Sequence, residues 1–164
     1  MNKIINIKTK KSIDEIAEFK NKEFSPCDIK FTNVHLKQLN EVINFKLFDK
    51  NDLYVSSTTL YELMQPIGNC GSHNYHNLTP EDIFNAINSL LHPLAVFSVK
   101  YERYAVVPIF NSSFSEPLMV VIEKGAPLLN RQNAKINKIV TIYPKSDLDK
   151  YLEGLKQQDV LYKK

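Results

Sequence analysis

Cysteine is scarce in this chain: Cys27 and Cys70 are the whole supply among 164 residues. Two thiols exclude a disulfide-built scaffold and a zinc site of four cysteines. Glycine, at 4, and proline, at 8, are too few for a collagen-like or low-complexity protein. No run reaches the roughly 18 apolar residues of a membrane-spanning helix. The basic N-terminus, MNKIINIKTKKS, is followed by no continuous apolar segment, so a secretory signal is not expected. These absences predict a soluble, cytoplasmic protein with no membrane association. With 43% hydrophobic and 24% charged residues, the chain suits one ordinary globular domain, alone or with a helical extension.

The net charge is only +3, but it is unevenly spread. Residues 1–50 carry 10 lysines against 7 acids, residues 51–123 carry 2 basic residues against 7 acids, and residues 124–164 carry 9 basic residues against 4 acids. The basic C-terminal segment is either a solvated lysine-rich face or a surface for a polyanion. On the second reading Lys135 and Lys138 are candidate polyanion-binding residues.

Periodicity divides the chain into helices first and strands later. Ser12 and Glu15 have capping-box spacing ahead of Ile16 and Phe19. Leu36, Leu39, Val42 and Ile43 step by three and four, as on one helix face. A brief strand at Leu53–Val55 precedes a helix through Leu60, Leu63 and Met64, with Ser57 or Thr58 as its cap. The clearest helix begins at Thr79, with Pro80 in the first position and Asp82 placed to complete a capping box. Its stripe is Ile83, Phe84, Ile87, Leu90 and Leu91.

After Pro93 the period falls to two. Strands are predicted at Leu94–Val99, Tyr104–Phe110, Pro117–Glu123 and Ile136–Tyr143. A helix capped by Ser146 and a closing strand through Leu161 follow. No crossover helix separates the strands between residues 94 and 123, which argues for antiparallel pairing. The fold class expected is therefore α+β: N-terminal helices, then an antiparallel β-meander of about four to five strands with a helix before the last strand. Residues 1–50 form a helical N-terminal extension and residues 51–164 the α+β domain, with helices on one face of the sheet.

Common catalytic signatures are missing. The chain has no phosphate-binding glycine loop, dinucleotide fingerprint, His-Glu-x-x-His pair or nucleophile elbow. Cys70, His73 and His76 lie close in sequence, but a zinc site there lacks a fourth ligand at suitable spacing. No metal and no cofactor is expected. Taken alone, His76 reads as a solvent-exposed residue flanking a helix.

Two strings change that reading. The first is His76-Asn77-Leu78-Thr79-Pro80-Glu81-Asp82, followed by an apolar helix and His92-Pro93-Leu94-Ala95-Val96-Phe97. The second is Ile139-Val140-Thr141-Ile142-Tyr143-Pro144-Lys145, followed by a short helix and Val160-Leu161-Tyr162. Together they resemble the C-terminal domain of phage MuF-like proteins, which belongs to the barnase–EndoU–colicin–RelE (BECR) superfamily of small RNases and toxins. The resemblance covers roughly residues 53–164. It implies that His76, or His73 by a three-residue shift, is the pre-helix histidine of the family. It also implies that Thr141 stands where serine is common, two residues before Tyr143, with Lys145 just past the strand.

What the resemblance implies is a metal-independent RNA-cleaving toxin, or a phage or mobile-element effector domain. It would be an endoribonuclease acting by transesterification at the 2′-hydroxyl, with His76, Thr141, Tyr143 and Lys145 as catalytic residues. Its partners would be RNA, bound by Lys135, Lys138 and His73, and a protein inhibitor or host protein. The residue types suit that chemistry: histidine can move a proton near neutral pH, lysine can hold phosphate, and hydroxyls can donate to it. The alternative is a non-catalytic binding module of the same fold that engages RNA or a host protein. Family members often carry a basic residue just before the histidine, where this chain has Tyr75. On a regular strand Lys135 and Lys145 share the parity of Thr141 and Tyr143, and Lys138 faces the other way.

Overall fold

The computed structural model describes residues 5–7, 12–21, 23–67, 74–129 and 131–164. Its elements run β1 (Ile5–Ile7), α1 (Ser12–Ala17), β2 (Asp28–Phe31), α2 (Leu36–Ile43), β3 (Leu53–Ser56), α3 (Ser57–Leu63), α4 (Pro80–Asn88), β4 (Pro93–Ser98), β5 (Arg103–Pro108), β6 (Leu118–Leu128), β7 (Arg131–Pro144), α5 (Leu148–Glu153) and β8 (Val160–Lys163). Short 3-10 turns lie at Glu18–Asn21 and Gln157–Asp159.

The class is α+β, but the sheet is larger and more mixed than a four-to-five-stranded antiparallel meander. Among the described residues, eight strands hydrogen-bond in the order β1-β2-β3-β7-β6-β5-β4-β8. The segment β4-β5-β6-β7 is the antiparallel meander, and β8 returns antiparallel to β4. Two pairs are parallel, β1 with β2 and β3 with β7. The first 50 residues are therefore not only helical. β1 and β2 extend the sheet beyond β3, and Ile16, Phe19, Leu36 and Leu39 share one buried cluster with Ile83, Val106 and Ile142. Strands this short carry little periodic signal, and their pairing is settled by partners more than 20 residues away.

Helices occupy both faces. The larger cluster lies under α4, where Ile83, Ile87 and Leu90 are buried and Phe84 and Leu91 pack against them half-buried. On the opposite face Ala95, Phe97, Ala105, Val107, Met119 and Val121 are covered by Leu148 and Leu152 of α5. A central strand buried on both sides has no polar face. That is why β6 begins with the run Leu118-Met119-Val120-Val121-Ile122, whose side chains alternate between the two clusters.

Capping at α4 follows the local chemistry. Thr79 Oγ1 accepts from the Asp82 amide at 3.1 Å, and Asp82 Oδ2 accepts from the Thr79 amide at 3.3 Å. At α3 the cap is Ser56, one residue earlier than expected, accepting from the Thr59 amide. At α5 the N-terminal flank is Asp147, in the left-handed region and making no side-chain cap, not Ser146. The side chain of Ser12 lies outside what the structure describes.

One irregularity in β7 matters for function. Val121 pairs with Thr141, but the next residue, Ile122, pairs with Ile139. Val140 is thus an extra residue on β7, a bulge that re-aims everything beyond it. Ile139 and Ile142 both enter the larger cluster, whereas Val140 and Tyr143 enter the one beneath α5. The regular alternation expected for Ile136–Tyr143 is broken at that point. Lys138, the parallel partner of Tyr54, falls on the face of Thr141 and Tyr143, and Lys135 on the face of Asn137 and Ile139. This is the reverse of the expected lysine parity.

Candidate functional site

His76 sits in the segment leading into α4, and that segment is tied down on its far side. The Asn77 amide donates to Gln65 O at 2.8 Å and the Leu78 amide to Leu63 O at 2.9 Å. Asn77 adopts a left-handed φ of 54°, which Asn tolerates better than most residues. The chain therefore turns sharply between a loop anchored to α3 and a capped helix, and the imidazole is turned toward β7.

There, His76 Nε2 lies 3.5 Å from Thr141 Oγ1. The imidazole and the Tyr143 ring are tilted by 33° with centroids 5.7 Å apart. Thr141 and Tyr143 alternate on one face because both lie beyond the bulge. Lys145 follows the strand, its amide donating to Pro117 O at 2.9 Å. Its ammonium stands 4.1 Å from the centroid of the Tyr151 ring. The Tyr151 ring itself packs on Phe97 at 5.6 Å. One imidazole, one hydroxyl, two phenols and one ammonium are thereby gathered from positions up to 75 residues apart.

Electrostatics follow from burial. Desolvation lowers the His76 pKa below its ordinary 6.5, so the ring is neutral at pH 7. Desolvation raises the Tyr143 pKa, and the nearby Tyr151 phenol raises it further, so Tyr143 keeps its proton. A neutral acceptor thus stands beside a retained donor. Tyr151 is the residue that sequence reading missed. It belongs to the Leu148, Leu152 helix face, and its only signal was an aromatic ring eight residues past Tyr143.

The other sequence candidates are placed differently. Lys138 does not offer its ammonium outward: it is paired with Asp28 Oδ1 at 3.0 Å, donates to Pro127 O at 3.0 Å and has a side chain only 15% exposed. Lys138, an expected RNA contact, is thus engaged within the protein, and a paired and largely buried ammonium has little left to offer a phosphate. Lys135 is exposed on the opposite face of β7, and its carbonyl accepts from Lys50 Nζ at 2.6 Å. His73 and Cys70 lie outside the described residues. Among the described residues, no group of three or more His, Cys, Asp or Glu side chains is placed to hold a metal ion. No helix of the described residues is long and apolar enough to cross a membrane.

A second polar cluster near α4 is structural. Asp82 is buried and accepts from the Ser113 amide at 3.1 Å and the Ser113 hydroxyl at 2.7 Å, besides the bonds from Thr79. Burial alone would raise the Asp82 pKa, but the bonds from Ser113 and Thr79 outweigh it and hold the carboxyl below its ordinary value. All of this fixes the helix whose N-terminal flank carries His76.

Searches of curated proteins and of solved structures return no match to the chain. A family match does exist, to the Phage MuF-C-terminal domain, over residues 69–164. That span is more than half of the chain. It begins seven residues before His76, takes in α4 and the strands from β4 onward, and includes His76, Thr141, Tyr143, Lys145 and Tyr151. The chain that places His76 against Thr141 and Tyr143 belongs to the phage MuF C-terminal domain family.

Proposed function

We propose that this phage-type domain is a BECR-type endoribonuclease that cleaves RNA by transesterification at the 2′-hydroxyl, acting in the cytoplasm as a toxin or effector. The observation that carries the reading is the meeting of His76 with Thr141 and Tyr143, at 3.5 Å and 5.7 Å, on a face that also holds Lys145. Neutral His76 takes the proton of the 2′-hydroxyl, which then attacks the adjacent phosphorus. The Tyr143 phenol and the Thr141 hydroxyl donate to the phosphoryl oxygens, and the Lys145 ammonium balances the charge that grows on them. The P–O5′ bond breaks as its oxygen takes up a proton from water, and His76 gives its acquired proton back to solvent, leaving a 2′,3′-cyclic phosphate and a 5′-hydroxyl. These groups are enough for the reaction without a metal ion. Positioning the internal nucleophile supplies much of the rate advantage.

The test is incubation of the protein with total RNA in EDTA, wild type beside His76→Ala, followed by analysis of the product ends. Cyclic phosphate ends made by wild type and absent from His76→Ala support the reading. RNA that is bound but left intact by wild type supports the non-catalytic module instead, and RNA neither bound nor cut removes RNA as the partner.

A further inference from the structure

The geometry points to Tyr151 as a positioning residue that holds the Lys145 ammonium at the site through the face of its ring. This rests on the RNA-cleaving reading above and assigns a role to a side chain outside the four residues of that mechanism. A lysine at the end of a strand has four rotatable bonds and a compact, strongly hydrated charge, so by itself it occupies no fixed place. Here the ammonium lies 4.1 Å from the Tyr151 centroid, well inside the range in which an aromatic face attracts a cation.

The ring is in turn packed against the sheet. It packs on the fully buried Phe97 at 5.6 Å, and its helix is pinned to the sheet by buried Leu148 and Leu152 on either side of it in sequence. The Tyr151 phenol is also close enough to influence the Tyr143 phenol electrostatically. The platform that carries Lys145 is thus continuous with the one that carries Tyr143 and His76. α5 is built to cover the sheet, and through Tyr151 it also sets where Lys145 places its charge.

Three variants separate this role from simple packing, each assayed for kcat and KM on a single-stranded RNA oligonucleotide. Tyr151→Phe keeps the ring and should turn over within about 2-fold of wild type. Tyr151→Leu keeps the charge but frees it, so kcat should fall about 10-fold while KM moves less than 2-fold, as for a group displaced from its reacting position. Adding Tyr151→Leu to Lys145→Ala should lower kcat no further than Lys145→Ala alone. A Tyr151→Leu variant that keeps wild-type kcat, or a double variant in which the two losses multiply, overturns the role while the cleavage reading stands. Wild type that leaves the oligonucleotide intact overturns both. If Tyr151→Leu does not fold, the wild-type protein decides by NMR. Lys145 ε-methylene protons shifted upfield by the ring current, and still shifted in Tyr151→Phe, support the role; unshifted protons overturn it.

Discussion

The two ends of β7 carry polar groups on the same face of the sheet and use them in opposite ways. Before the bulge, Lys138 is closed against Asp28 and the Pro127 carbonyl, and Asp28 Oδ2 also accepts from the Leu129 amide at 2.6 Å. Asp28 Oδ1 meets the ammonium at 3.0 Å but off hydrogen-bond alignment, so that contact is a charge pair more than a directed bond. Beyond the bulge, His76, Thr141 and Tyr143 meet through one long 3.5 Å contact and a ring approach, and Lys145 rests on an aromatic face. The difference teaches how to tell structure from chemistry among polar side chains. Charges that neutralise each other under burial have little left for a ligand, whereas groups that meet through one long contact keep donors and acceptors to offer one.

The comparison is broken most easily by removing one group from each end. His76→Ala should lower RNA cleavage by about 10²–10⁴-fold, the range a positioned general base supplies, with little change in the thermal midpoint. A cleavage assay beside a melting curve checks it, and an active His76→Ala protein ends the mechanism. Asp28→Ala should do the converse. It strands a largely buried ammonium and should destabilise the fold by about 3–5 kcal/mol, measured by denaturant titration, while the folded fraction keeps its kcat. Comparable losses of stability at both sites would erase the distinction between them.

A smaller effect sharpens the role of the scaffold that holds His76. Thr79→Ala removes one arm of the capping box and should destabilise by about 1 kcal/mol, with Asp82 still held by Ser113. An effect beyond about 3 kcal/mol would show that the two networks act as one unit.

The smallest signal is the pH dependence of stability. Because the folded pKa of His76 lies below 6.5, the unfolded chain binds more protons over that interval. The stabilisation from keeping the ring neutral is complete above pH 6.5 and lost as pH falls through the lowered value. Asp82 also has a lowered pKa, so its contribution is present above 3.8 and lost only as pH falls through its own lowered value. Denaturation followed downward from pH 7.5 should show the His76 loss first, below pH 6.5, and the Asp82 loss only below pH 3.8. His76→Gln should lack the earlier one, and retention of it would place the titrating group elsewhere.

Local chemistry by itself determined several parts of this protein. Thr79, Pro80 and Asp82 specify a helix start within four residues, and the stripe of Ile83, Ile87 and Leu90 then selects the face that is buried. The alternation in Leu94–Val99 and Tyr104–Phe110 likewise needs no distant information, because strand geometry sends successive side chains to opposite faces. The grouping of His76 with Thr141 and Tyr143 was legible only through the resemblance of two short strings to a family, since nothing in residue spacing links positions 65 apart.

Tertiary structure decided the rest. β3 pairs parallel with β7 across some 80 residues, a choice made by the hydrophobic burial of Leu53 and Val55 beside Ile139. The extra residue Val140 reversed the facing of Lys135 and Lys138, because a single inserted residue shifts a period-two pattern by half its length. Nothing in the sequence singles out Asp28, which the fold makes the buried partner of Lys138, and Tyr151 was one of eight tyrosines until α5 laid it between Phe97 and Lys145. Each of these outcomes depends on which distant surfaces must leave water together, and that information is spread over the whole chain and absent from any one window of it.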